Sequence, residues 1–241
     1  MVENPINLFA SRSDRYPESD EADSLQRLAR AGIAAIPIVG GSLNELLSTV
    51  LAPAVSRRRD EWFKELADGL DQLESKVKGF RPEDLAKNEQ FVSATIQATR
   101  IALGIHQNEK RAMLRNALLN VAVGNGPDEE LQQVYLNAIE AFTPSHVRVL
   151  KALWRGDNEL IEKHGRKPYE LGNIGTLGNA IRILIPELQG RDGLVQCIMT
   201  DLRNRGFSTA SGPDAAFPSG KMITNVGIEF LQFIMDPATR K

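Results

Sequence analysis

Residues 40–77, GGSLNELLSTVLAPAVSRRRDEWFKELADGLDQLESKV, constrain the fold more than any other stretch: a helical apolar pattern runs through them and changes character at three consecutive arginines. Leu43, Leu46, Leu47, Val50, Leu51, Ala54 and Val55 recur at the i, i+3, i+4, i+7 spacing that gathers apolar side chains on one helical stripe. Beyond Arg57, Arg58 and Arg59 the stripe continues through Trp62, Leu66, Leu70, Leu73 and Val77, while Asp60, Glu61, Lys64, Glu65 and Asp68 cover the opposite face. The spacing predicts a helix whose first half is nearly uncharged and whose second half is solvated. Pro53 lacks a backbone donor and is expected to kink or end it near Ala52. Within residues 31–56 the sole formal charge is Glu45. Such a stretch exceeds the roughly 20 apolar residues that cross a bilayer, but Ser42, Asn44, Ser48, Thr49 and two prolines dilute it. A buried core hairpin is the expectation. A membrane-directed segment, Ala31 to Val55 flanked by arginines, is the alternative.

Around that stretch the chain divides into a lead-in, 1–21, rich in Ser, Asp and Glu, then a helical bundle, 22–141. Gly32 to Gly41 is an apolar connector that Pro37 and the glycine pair keep from regular helix. Arg81-Pro82-Glu83-Asp84 opens a short helix with proline first, Gly104 divides or bends the pattern that begins at Asn88, and Gly124-Asn125-Gly126-Pro127 stops it. Asp128, Glu129 and Glu130 then start another helix with acids at the positive end of its dipole.

Residues 142–241 form a second module. Thr143-Pro144 caps and starts a helix with Val147, Leu150, Leu153 and Trp154 inward, followed by a polar insertion, Arg155 to Gly172. A second helix carries Leu177, Ile181, Leu184 and Ile185. A third, Gly190 to Arg205, turns Leu194, Val195, Ile198, Met199 and Leu202 inward and stops at Gly206. Phe207-Ser208-Thr209-Ala210 and Lys221-Met222-Ile223-Thr224 read as two short strands joined by a tip, before a last helix capped by Thr224 or Asn225. The fold class is therefore mainly α, a helical bundle followed by a winged-helix-like domain with a small two-stranded wing.

The pattern Leu202-Arg203-Asn204-Arg205-Gly206-Phe207, wing, Ile223-Thr224-Asn225-Val226-Gly227-Ile228-Glu229-Phe230-Leu231 is similar to that of winged-helix proteins. With Ile36-Pro37-Ile38-Val39-Gly40-Gly41, Arg59 with Trp62, and Glu109-Lys110-Arg111 with Asn116 and Asn120, the whole chain resembles the Abi-alpha-like abortive-infection proteins of bacteria. That resemblance implies phage defence or another cytoplasmic role, and it brings no catalytic residues.

The chemistry is sparse. One cysteine, Cys197, excludes an internal disulfide and points to a reducing cytoplasm; its neighbours Val195, Ile198 and Met199 lead us to expect a small buried hydrophobe. No basic segment followed by an apolar core marks a secretory leader at the start. His106, His146 and His164 lack the i+3 or i+4 partners of a metal site, and Ser145 beside His146 belongs to a helix start. Gly172 to Gly178 lacks the Lys-Ser/Thr ending of a phosphate loop. We therefore expect no enzyme, no metal and no cofactor. A winged helix reads duplex DNA through the outer face of its third helix, which here offers Arg191, Gln196, Thr200 and Arg203, with Arg205 at its end and Lys221 in the wing. Asp192 and Asp201 offset part of that charge. The same residues suit a protein partner, the first expectation, with DNA the second. Arg57, Arg58 and Arg59 are candidates for anion or membrane contact, and a homo-oligomer is compatible with the pattern.

Overall fold

A computed structural model describes residues 41–164, 175–215 and 221–239. The chain separates into two compact units, Met1–Val123 and Gly124–Lys241. The lead-in, the Gly32 to Gly40 connector and the first part of the Ala31 to Val55 segment lie outside the described residues. Both units are mainly α, as the periodicity predicts, and no helix of the described residues is long and apolar enough to cross a membrane.

In the first unit, α1 (Gly41–Lys76) runs 36 residues through Pro53, where a kink or stop was expected. Pro53 is exposed, so its ring meets no packed neighbour, and loss of one intrahelical hydrogen bond is tolerated inside so long a helix. Past Arg59 the inward face holds Trp62, Leu66, Ala67 and Leu73. A 3-10 turn, Pro82–Lys87, leads to α2 (Glu89–Gly104), capped by Asn88, whose Oδ1 accepts the Phe91 N–H at 3.0 Å. Gly104 ends α2 and α3 (Asn108–Ala122) follows.

Register is set by side chains that bridge the helices. Arg58 donates to the Leu103 carbonyl at 3.1 Å and the Trp62 indole donates to Thr99 Oγ1 at 2.9 Å, which makes α1 and α2 antiparallel. Arg111, 8 % exposed, bonds Glu61 at 2.6 Å and Glu65 at 3.0 Å, and a Cβ at Gly69 would lie 2.9 Å from Leu119, so α1 and α3 run parallel. These pairs start at Arg58. At about 1.5 Å per residue, the fifteen residues of α1 before Ser56 form a leading extension of roughly 22 Å ahead of the first of these pairs. Leu51, in that extension, is 40 % exposed.

The second unit begins with α4 (Glu129–Ala141), capped by Asp128, whose Oδ1 accepts the Leu131 N–H at 2.9 Å. Periodicity assigned this helix to the bundle. Tyr135 instead packs against Phe207, Phe230 and Phe233 with ring centroids 6.3, 5.6 and 5.6 Å away, so the helix belongs with the module that follows and the division falls ahead of residue 142. Phe142 completes the cluster edge-on to Phe207 and Phe230. α5 (Pro144–His164) stays helical ten residues into the expected polar insertion. α6 (Leu177–Leu184) is capped by Thr176, a 3-10 turn at Pro186–Leu188 redirects the chain, and α7 (Asp192–Asn204) stops at Gly206, whose φ of 79° suits glycine.

The expected two-stranded wing is corrected. Among the described residues its place holds one antiparallel bridge, Ser208 with Ile223. Thr209 donates to the Met222 carbonyl and Thr224 to that of Phe207, but the Met222 N–H that would extend the ladder goes to the Leu153 carbonyl and the Ala210 N–H to Ser208 Oγ. α8 (Asn225–Phe233) is capped by Thr224, and Gly227 fits so closely beneath the Phe207 carbonyl that a Cβ would come within 2.3 Å of it.

Candidate nucleic-acid interface

α7 separates its faces cleanly. Val195, Ile198, Met199 and Leu202 are buried, while Asp192, Gly193, Gln196, Cys197, Thr200, Arg203 and Asn204 are exposed. Arg191 precedes the helix, Arg205 follows it, and Lys221 stands beyond the bridge, all three exposed. Cys197 corrects the expectation of burial: it lies in the middle of the outward face. Gln196 donates to Thr200 Oγ1 at 3.1 Å, which aligns two hydrogen-bonding side chains along one stripe.

The acids of this region are drawn into internal pairs. Arg182 of α6 meets Asp192 at 2.5 Å, and Asp201 accepts from Arg205 Nε at 2.8 Å and faces His146 Nε2 at 3.4 Å. Arg191 and Lys221 form no ion pair with a described residue, and Arg203 reaches only the Ser211 carbonyl, at 3.5 Å. The sequence makes the Asp201–Arg205 pair visible at i, i+4; the Arg182 and His146 partners come from other helices and are invisible to spacing.

His146 is buried at the start of α5, its ring stacked 5.0 Å from Phe142 and nearly parallel to it. Nδ1 accepts the Thr143 N–H at 3.1 Å, a capping arrangement in which the third helical residue reaches back to the cap. Nε2 then carries the ring proton toward Asp201. Thr143 Oγ1 is 2.9 Å from the same Nδ1, a hydroxyl–imidazole–carboxylate row, but the backbone amide already occupies the nitrogen that would take its proton. The Arg205 guanidinium lies 5.7 Å from the Phe142 ring, so one cluster ties the beginning of α5 to the end of α7.

Beside this face, the Glu187 carboxyl is held below the usual range first by its own backbone amide and then by Arg148, 2.5 Å away. Tyr135 is pushed well above the ordinary phenol value by burial and secondarily by the charge of Glu229, to which its hydroxyl donates at 3.3 Å. Arg57, Arg58 and Arg59 of the first unit are each engaged internally, with Glu61, the Leu103 carbonyl and Asp60. No group of three His, Cys, Asp or Glu among the described residues could hold a metal ion. No protein-family model, no curated protein and no solved structure matches this chain.

Proposed function

We propose that the second unit is a winged-helix-like module that binds duplex DNA through the outer face of α7. One observation carries this reading: both acids that would repel a phosphate backbone, Asp192 and Asp201, are paired inside the unit, while Gln196, Thr200, Arg203 and Asn204 stay exposed along a single helix. Side chains of those types offer the donors and acceptors that base edges in the major groove recognise. Arg191 and Lys221 flank the stripe as phosphate contacts. The protein is read as non-enzymatic and cytoplasmic, and the resemblance to abortive-infection proteins suggests phage defence as its setting. Titration of random duplex across a salt series tests the reading. Binding should weaken steeply with salt and be lost in the variant Arg191→Glu, Arg203→Glu, Lys221→Glu. Absence of binding at low salt would leave the α7 face to a protein partner.

A second reading is favoured by the extension of α1 past Arg58, an almost uncharged helix with three arginines at its base. Such a helix suits the headgroup region of an anionic bilayer. Flotation with anionic liposomes separates the readings: a protein that stays at the bottom of the gradient is no membrane effector.

A further inference from the structure

Another surface of the second unit, on α5, also carries positive charge. The outward side of α5 presents Arg148, Lys151 and Arg155 at i, i+3 and i+7, opposite the buried Val147, Leu150 and Leu153. At one end Arg148 is tied to Glu187, in the turn that leads to α7. At the other, the Leu153 carbonyl accepts the Met222 N–H at 3.2 Å, which brings the segment starting at Lys221 against α5. The Arg155 guanidinium lies 4.3 Å over the half-buried Trp154 ring. Stacking occupies the face of a guanidinium and leaves its N–H edge directed outward, the geometry that meets a phosphate. Lys151 and Arg155 are both exposed.

We propose that Lys151 and Arg155, on the outward side of α5 beside Trp154, form a second nucleic-acid contact that holds phosphates without reading sequence. The patch has cations and an aromatic face but no Asn or Gln among these residues to discriminate bases. This inference rests on the duplex-binding reading of the same unit. Its test uses the full chain, random-sequence duplex and the exposed double variant Lys151→Ser, Arg155→Ser, which leaves Lys221 and α7 intact. The slope of log affinity against log salt should become shallower by roughly 1.8, about 0.9 for each phosphate contact removed, with preference among duplexes unchanged. The charge-retaining variant Lys151→Arg, Arg155→Lys should keep the wild-type slope. A wild type that binds duplex while the serine variant shows the same slope overturns the second contact and spares the α7 reading; a wild type that binds no duplex overturns both.

Discussion

At the scale of single residues, two glycines of the second unit make opposite predictions. Gly227 sits where a Cβ would come 2.3 Å from a backbone oxygen and 2.6 Å from Ile223, so Gly227→Ala forces the start of α8 away from the chain after α7. It should cost about 2–3 kcal/mol in chemical denaturation, in the range of overpacked cores. Gly193, on the first turn of α7, has open space, and Gly193→Ala should stabilise by up to about 1 kcal/mol through the backbone freedom removed from the unfolded chain. Tyr135 supplies a pH dependence with a definite sign. Its folded-state value is raised, so the neutral phenol's contribution is complete below the ordinary value of about 10 and is lost as pH climbs past it. Denaturation midpoints should therefore fall in alkaline solution, and less so for Tyr135→Phe. The exposure of Cys197 follows from helical geometry and not from its neighbours in sequence. Its neighbours in line are apolar, but at about 100° per residue it lies about 200° round the helix from Val195, on the side of Gly193, Thr200 and Asn204.

At the scale of elements, boundaries were legible because caps are local chemistry. Asn88, Asp128 and Thr224 each stand at a helix start and accept the amide three residues on, and Gly206 stops α7 as its residue type foretells. Thr224→Ala should remove about 1–2 kcal/mol, since the hydroxyl also donates to the Gly206 carbonyl at 2.7 Å; the loss would appear in thermal melts of the full chain. Partners were not legible. The stripe on α4 is plain in the sequence, but nothing in it says that Phe207, Phe230 and Phe233 rather than the bundle will cover Tyr135. The wing failed for a similar reason: a β-rich run forms a ladder only where its amides face a partner strand, and the Met222 N–H is taken by the Leu153 carbonyl of α5. Of the candidate interface, the polar residues of α7 and the Asp201–Arg205 pair were readable by spacing, whereas the pairing of Asp192 required Arg182 from another helix.

At the scale of the whole molecule, two separate cores imply two separable folding units. One is built on Trp62, Leu114 and Leu118, the other on the ring cluster around Phe230. A fragment of residues 124–241 should fold alone and melt cooperatively, with the near-ultraviolet dichroism of its packed aromatics. A fragment that shows helix without that signal would mean that the first unit is needed to order the second. Trp62→Ala should cost about 3–5 kcal/mol, leave the Thr99 hydroxyl without its indole donor, and lower the first transition while sparing the second. The long helix of the first unit has a mechanical meaning as well. Because α1 is continuous from Gly41 to Lys76, with the Trp62 core and the Arg111 clamp near its middle, its leading turns share one unbroken helical backbone with the core. A displacement of those turns would meet the core first at the Arg58 bond to the Leu103 carbonyl and one turn later at Trp62.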